Sequence, residues 1–179
     1  MLSIERLREE IEKGIGELAF KREPFGLYEP IEYSMSLGGK RLRPVICLAA
    51  CSLFTDNYEK AMSAALAIEM FHNFTLLHDD VMDKADIRRN QPTVVAKWDA
   101  NTAILSGDEM LIESYKLLAK TDCPAFSLVM STFSETATEV CEGQQYDMDF
   151  ETRDNVSLEE YMEMIRLKTA VLLGCAMKI

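Results

Sequence analysis

The sequence has 179 residues, enough for one compact domain, and its 48% apolar and 27% charged residues are typical of a folded protein rather than a disordered one. The chain carries 19 Lys and Arg against 30 Asp and Glu, a formal charge of -11. This balance excludes non-specific binding to nucleic acid or anionic lipid, because such surfaces need excess cations. A small basic pocket for a phosphate-bearing metabolite stays compatible with it.

The cysteines and the apolar runs predict a cytoplasmic protein. Five cysteines without a paired C-x-x-C fit neither a disulfide framework nor a zinc site, so Cys47 and Cys51 are interpreted as packing thiols in a reducing compartment. The N-terminus is charged and lacks the apolar core of a signal peptide. The longest apolar run, from Val45 to Phe54, is far shorter than the roughly 20 residues of a membrane span. We therefore expect no membrane span.

Helical periodicity follows the chain almost from end to end. The helices are recognised by apolar residues that recur every 3.6 positions. A break is predicted near Asn101, and the last helix begins at the capping box Ser157-Leu158-Glu159-Glu160. The predicted helices cover Leu2 to Phe20, Pro44 to about Phe54, Glu59 to Asp83, Val94 to Ala119, Pro124 to Tyr146 and a last segment from near Ser157.

Polar segments connect these helices, and no strand-like alternation or internal repeat is present. The connections are Arg22 to Gly26, the basic Leu37 to Arg43, the polar Asp86 to Pro92 and the acidic Asp147 to Asn155. The pattern predicts an all-α bundle of long helices, forming a single domain over residues 1–179. The apolar run from Ala170 to Met177 has no cap or polar tail, so we expect this domain to be the N-terminal part of a longer one.

An acidic motif ends the long apolar helix. Asp79 and Asp83 are four residues apart, with Asp80 between them, and so project from one helix face. Repulsion between like charges at this spacing destabilises the helix by a few tenths of a kcal/mol. The negative end of the helix dipole disfavours carboxylates by a similar amount. Mg²⁺ would reverse that cost, because it binds one or two carboxylates and completes its shell with water and phosphate oxygens. A solvated acidic helix end is the alternative.

Cations surround this motif along the sequence. His72 lies two turns before Asp79, Arg88-Arg89 follow it, and Lys40-Arg41-Leu42-Arg43 precede it. Guanidinium and ammonium groups beside a carboxylate–metal cluster are suited to a diphosphate. Taken singly, His72 is equally compatible with a core position, and the basic residues with a solvated surface.

Polar residues that could contact such a ligand also occur in the last third of the chain. Lys168-Thr169 offer an ammonium group and a hydroxyl, and Gln144 and Asp147 share a helix face three residues apart. A polar helix surface is the alternative for the second pair.

Together these motifs resemble the trans-isoprenyl diphosphate synthases, the polyprenyl synthetases. Asp79 to Asp83 resembles the family's first aspartate-rich motif in its short form. The matching segments, in the family order, are Gly38-Gly39-Lys40-Arg41-Leu42-Arg43-Pro44, His72 to Asp83, Arg88 to Thr93, Gly107-Asp108, Gly143 to Asp147 with Phe150-Glu151, and Lys168-Thr169.

The resemblance implies a Mg²⁺-dependent prenyl transferase with helices around a central pocket, acting as a homodimer. Isopentenyl diphosphate would condense with an allylic diphosphate. The implied catalytic and metal-binding residues are Asp79 and Asp83, supported by Asp80. The implied substrate-binding residues are Arg88, Lys168 and Thr169 for the allylic diphosphate, Lys40, Arg43, His72 and Arg89 for isopentenyl diphosphate, and Gln144 and Asp147 nearby.

Product length in the family depends on the residues four and five positions before the first aspartate, here Thr75 and Phe74. Thr75 lies about 40° from Asp79 around an ideal helix, whereas Phe74 lies about 140° away, so spacing places only Thr75 beneath the metal. The resemblance implies a product of C15 to C20, with C20 favoured. Core packing is the alternative for Phe74.

The sequence departs from the family in one respect. The family has a second aspartate-rich motif downstream of the Lys-Thr pair, and neither Asp147-Met148-Asp149 nor Asp154 matches it. We therefore expect this chain alone to be inactive. One alternative is a noncatalytic partner subunit of a prenyl synthase. A class I terpene cyclase is another, although the Gly38 to Arg43 segment and His72 favour a second diphosphate substrate.

Overall fold

The computed structural model describes residues 3–179, which form two compact units, one up to Thr121 and the other Asp122–Ile179. Helices dominate both, so the all-α prediction is confirmed. The expectation of one domain over residues 1–179 stays a prediction. No helix of the described residues is both long and apolar enough to cross a membrane. All five cysteines are free, with Cys47 buried and Cys51 half-buried.

Helix α1 (Ile4–Gly16) begins the first unit. The Ser3 hydroxyl accepts a hydrogen bond from the Arg6 N–H, and Leu7 and Ile11 are buried as the apolar stripe predicts. The helix ends four residues before the predicted Phe20, after a stretch that contains two glycines with low helix propensity. The predicted start at Leu2 lies outside the described residues.

The basic connection joins helix α2 (Phe25–Ser36), which the periodicity did not predict, to helix α3 (Leu42–Ser52). Gly38 and Gly39 have φ of +72° and +150°, and Arg41 has φ +48°. Gly38 and Gly39 therefore supply backbone conformations that other residues rarely adopt. Pro44 lies in the first turn of α3, as expected.

Helix α4 (Met62–Met82) follows a 3₁₀ turn (Tyr58–Ala61) and is the central element of the first unit. It packs against α1, α2 and α3, and against the two helices that follow it. Its apolar side chains are buried around most of its circumference, which places the acidic motif at the end of a rigid, enclosed rod.

A short hairpin follows α4, where the sequence predicted only a loop. Strand β1 (Ile87–Arg88) pairs antiparallel with β2 (Gln91–Pro92), and Arg89 and Asn90 in the turn have φ of +54° and +61°. Two positive φ values are typical of a tight hairpin turn. The sequence contains no signal for this hairpin, because two-residue strands are too short to produce an alternating pattern.

Helices α5 (Val94–Lys97) and α6 (Ala100–Leu118) complete the first unit. The predicted break between them is confirmed, and it lies at Trp98 and Asp99. The Asp99 carboxylate accepts from the Thr102 N–H at 2.8 Å and begins α6.

The second unit contains helices α7 (Phe126–Phe150), α8 (Leu158–Ile165) and α9 (Val171–Lys178), with a π-helical turn (Arg166–Ala170) before α9. The predicted capping box at Ser157 is confirmed. Helix α7 continues four residues past the predicted Tyr146, so the acidic connection was placed too early. A hydrogen bond of 2.7 Å from Gln145 to Asp149 and the Tyr146–Phe150 ring contact stabilise this extra turn.

Candidate active site

The acidic motif lies at the C-terminal end of α4 and is bound by an arginine of the hairpin. Arg88 donates from Nε to Asp80 Oδ1 at 2.8 Å and from Nη2 to Asp79 Oδ2 at 3.0 Å. Asp83 is exposed at the cap of the helix, and its N–H donates to the Asp79 carbonyl. The structure therefore brings Asp79 and Asp80 into contact with one of the predicted diphosphate-binding cations, and it places Asp83 one turn further along the helix.

Asp80 differs from its neighbours because it is buried. Burial raises the pKa of the Asp80 carboxyl, and the hydrogen bond from Arg88 opposes that rise. An ionised carboxylate at this depth depends on its cation, so Arg88 and Asp80 stabilise each other's position. This geometry fits the expected supporting role of Asp80.

The donor set at this helix end suits magnesium. Asp79 and Asp83 present carboxylate oxygens one turn apart, the hard ligands that Mg²⁺ prefers. Among residues 3–179, no three His, Cys, Asp or Glu side chains converge on one point. The two carboxylates thus fit an ion that takes its other ligands from water and phosphate oxygens.

A cavity of about 640 Å³ collects the second set of predicted residues. Lys40, Arg43, His72 and Arg89 all line it. Arg43 Nη1 lies 3.1 Å from His72 Nε2. Because a guanidinium only donates, His72 Nε2 accepts, and the ring proton lies on Nδ1.

The histidine in this cavity is neutral. Burial, together with the positive charge of Arg43 and of the other nearby arginines, lowers the pKa of His72 to about 3. Burial likewise lowers the pKa of Arg43 and Arg89, although both stay cations at neutral pH. The cavity therefore carries its positive charge on arginine and lysine.

Arg41 has a role that sequence reasoning missed. It is 3% exposed and donates to Glu69 at 2.7 Å, to Glu12 at 3.0 Å and to the Met35 carbonyl at 2.7 Å. Arg41 is thus neutralised and holds the loop between α2 and α3 from within. The available signal was Glu69, a carboxylate inside the apolar run of α4 that needs a buried cation.

Arg89 lies against the diglycine of the same loop. Its guanidinium donates to the Gly38 carbonyl, and a Cβ at Gly39 would lie 3.2 Å from that guanidinium. The glycines therefore allow both the loop conformation and the close approach of Arg89.

The two expected chain-length residues have different surroundings. The Phe74 ring is buried, with ring centroids 5.5 Å from Phe71 and 4.7 Å from His78. Thr75 is half-buried and donates to the His72 carbonyl. These contacts fit the alternative of core packing for Phe74, and its chain-length role stays a prediction.

A glycine of α6 permits the close approach of His78. A Cβ at Gly107 would lie 2.2 Å from His78 Nε2, so a larger residue there would require the imidazole to move. This packing explains the glycine of the Gly107-Asp108 motif by contact between α4 and α6.

In the second unit, two of the four remaining predicted residues are in contact. Lys168 Nζ donates to Asp147 Oδ2 at 2.5 Å, linking the π-helical turn to α7. A Cβ at Gly143 would lie 2.2 Å from the Lys168 backbone nitrogen, so this glycine permits the contact. Gln144 is half-buried and Thr169 is exposed.

Comparison with known proteins gives a consistent result. The sequence profile of the polyprenyl synthetase family matches residues 25–179. The chain is 44% identical over 171 residues to a geranylgeranyl pyrophosphate synthase of Geoglobus acetivorans, covering 94% of this chain and 54% of that protein. It is 38% identical to a geranylfarnesyl diphosphate synthase of Natronomonas pharaonis, covering 99% and 57%.

Solved structures agree with these relatives. A crystal structure of a geranylgeranyl pyrophosphate synthase superposes with a TM-score of 0.91 at 52% identity, covering 99% of this chain and 54% of that one. The geranylgeranyl pyrophosphate synthetase of Pyrococcus horikoshii superposes with a TM-score of 0.93 at 36% identity, covering 98% and 55%. The chain spans about half the length of the curated relatives it matches. The match to the family profile over most of the chain, together with the shared fold, shows that the chain belongs to the polyprenyl synthetase family.

Proposed function

We propose that the protein carrying this chain is a Mg²⁺-dependent trans-prenyltransferase. It condenses isopentenyl diphosphate with an allylic diphosphate to give a product of C15 to C20, with C20 favoured. The observation that supports this most strongly lies within the first unit. There the carboxylates at the end of α4, held by Arg88, occur together with a cavity lined by Lys40, Arg43 and Arg89.

The acidic helix end would bind the allylic substrate. Asp79 and Asp83 would hold Mg²⁺, which when bound neutralises charge on the leaving diphosphate. Arg88 would donate to the diphosphate oxygens, and Asp80 keeps its guanidinium in place. For the second unit, the family resemblance implies that Lys168, Thr169, Gln144 and Asp147 also contact substrate. As the C–O bond breaks, its electron pair leaves with the diphosphate, and the cations stabilise that charge.

The basic cavity would bind isopentenyl diphosphate. Lys40, Arg43 and Arg89 would pair with its phosphates, and His72 would hold Arg43 in position through its neutral ring. The double bond of this substrate attacks the allylic carbocation and forms the new C–C bond. A proton then leaves the adjacent carbon and is taken up by the released diphosphate.

Two relatives named as geranylgeranyl pyrophosphate or diphosphate synthases support the favoured C20 product, whereas the geranylfarnesyl diphosphate synthase is named for a longer product than the proposed range. A homodimer and a cytoplasmic location are further expectations. Light scattering on the purified protein tests the first, and the five free cysteines fit a reducing compartment.

Calorimetry with an allylic diphosphate and Mg²⁺ tests this function on the complete protein that carries the chain. We expect binding that requires Mg²⁺, and Asp79→Asn and Asp83→Asn should each lower kcat/KM by about 100-fold. Asp86→Asn is the matched control, since Asp86 is exposed in the same segment and its contact to Thr93 uses the backbone carbonyl. Absence of uptake, or uptake indifferent to Mg²⁺, would refute the proposal.

A further inference from the structure

The cavity lined by Lys40 and Arg43 holds more positive charge than its carboxylates neutralise. Glu69 lines the cavity, but Glu69 and Glu12 both pair with Arg41. Within the described part of the chain, no carboxylate lies within 4.0 Å of the cations of Arg8, Lys40, Arg43 or Arg89. Four cations without a carboxylate partner in a protein of charge -11 indicate a site for a highly charged anion.

A buried nitrogen in the same cavity also lacks a partner. Arg43 Nε is buried and makes no hydrogen bond, although Nη1 of the same side chain contacts His72. A buried N–H without an acceptor costs free energy, and a bound oxygen ligand would remove that cost. This observation is independent of the charge balance and also indicates an anionic ligand.

Arg8 comes to this cavity from α1, which none of the motifs includes. It lies beside the buried Leu7, and its Nη2 donates to the Gly39 carbonyl at 3.1 Å. Gly39 directly precedes Lys40, so the guanidinium of Arg8 is held at the part of the loop that lines the cavity. One of its five N–H groups is used in this bond, and the others are available to a ligand.

The neighbouring arginine of α1 shows what an ordinary surface cation does on this helix. Arg6 pairs with Glu9 at 3.1 Å and with Glu10 at 2.5 Å. Arg8 has Glu12 one turn further on, but Glu12 pairs with Arg41. Glu12 is therefore engaged elsewhere, and no other carboxylate of the described residues lies within 4.0 Å of Arg8, so Arg8 stays positive at the cavity.

We propose that Arg8 is a further diphosphate-binding residue of the isopentenyl diphosphate site, and this inference rests on the function proposed above. A terminal phosphate offers three acceptor oxygens. Arg8 would bind the diphosphate from the α1 side of the cavity, where it has no carboxylate partner. It would act together with Lys40, Arg43 and Arg89. Its side chain is exposed, so its replacement removes a charge without opening the core.

Two glutamine variants of the complete protein test the role of Arg8. Arg8→Gln should raise the KM for isopentenyl diphosphate about tenfold and leave kcat and the KM for the allylic substrate within about twofold, because one charge-assisted hydrogen bond to one substrate is lost. Arg6→Gln removes a charge two residues away, and it should change none of these constants. Arg8→Lys keeps the charge and should recover part of the affinity.

Calorimetric titration with isopentenyl diphosphate alone gives a readout independent of turnover. The wild type and Arg6→Gln should bind it equally, and Arg8→Gln about tenfold more weakly. Equal binding by Arg8→Gln and the wild type would overturn the assignment of Arg8, as would an equal loss in Arg6→Gln. Failure of the wild type to bind isopentenyl diphosphate would instead refute the proposed function.

Discussion

The neutral state of His72 follows from its surroundings. Burial and the positive charge of Arg43 lower its pKa to about 3, against about 6.5 in an unfolded chain. Between these two values the unfolded state binds more protons than the folded state. The contribution of His72 to the free energy of unfolding is therefore complete above pH 6.5 and is lost as the pH falls toward 3.

This difference predicts a measurable pH dependence of stability. Between pH 7 and pH 5 the wild type should lose about 2 kcal/mol more stability than His72→Gln, whose side chain does not titrate but still offers Arg43 an acceptor. Urea denaturation of both proteins at each pH measures it. Parallel pH profiles of the two proteins would show that His72 keeps its ordinary pKa.

Phe74 offers a prediction about product length. In the complete protein, Phe74→Ala should lengthen the product, because the family resemblance implies that this side chain limits product length. It should also cost about 3 to 5 kcal/mol of stability, since the ring is buried. Mass spectrometry of the products measures the first effect.

Phe71→Ala is the control for this experiment. Phe71 is 1% exposed and contacts Phe74, so its loss costs similar stability without removing the residue that the family pattern singles out. We expect its product spectrum to match that of the wild type. An unchanged spectrum in Phe74→Ala would leave Phe74 as a core residue only.

At the scale of the element, close helix contact depends on glycine. Gly143→Ala places a Cβ 2.2 Å from the Lys168 nitrogen, so α7 and the π-helical turn must separate. The expected cost is about 1 to 3 kcal/mol, because backbone at the contact gives way less readily than a flexible side chain. Thermal denaturation should show a lower Tm for this variant.

Gly174→Ala tests whether the contact or the glycine itself causes this effect. Nothing lies within 4 Å of a Cβ at Gly174 in α9, so alanine there should stabilise the helix by up to about 1 kcal/mol. A Tm for Gly143→Ala equal to or above that of the wild type would show that the helices do not need the glycine.

At the scale of the whole molecule, the chain is expected to give no prenyl transfer on its own. The family resemblance implies two aspartate-rich motifs, and Asp79 to Asp83 is the one present in these 179 residues. With one of the two motifs, fewer carboxylates would be available to Mg²⁺, and the charge that develops on the leaving diphosphate would be incompletely neutralised. An assay with labelled isopentenyl diphosphate measures prenyl transfer by the chain, with the complete protein as the positive control. Robust turnover by the chain would contradict this expectation.

The molecule is acidic as a whole, yet one of its cavities is basic. The formal charge of -11 disfavours binding to nucleic acid, but it says nothing of a local site. Local charge depends on which cations have carboxylate partners. Arg41 is neutralised by Glu12 and Glu69, whereas Arg43 lies beside a neutral histidine.

The features that the sequence alone determined are local ones. Helical periodicity predicted α4 to within three residues at its start and one at its end, and Ser157 marked the start of α8. The motif residues indicated one family. These features are predictable because spacing and capping act within a few residues. The extra turn of α7 was not predicted, because it depends on single side-chain contacts. The hairpin was not predicted, because its two-residue strands are too short to show a pattern.

The role of each charged residue depends on the three-dimensional arrangement of the chain. Arg88 contacts Asp79, 9 residues away along the chain. Arg41 contacts Glu69 across 28 residues, and Arg8 contacts Gly39 across 31 residues. The physical reason is that a charged side chain acquires its role from burial and from opposite charges nearby in space. Neither quantity is contained in the residue types or in their spacing along the chain.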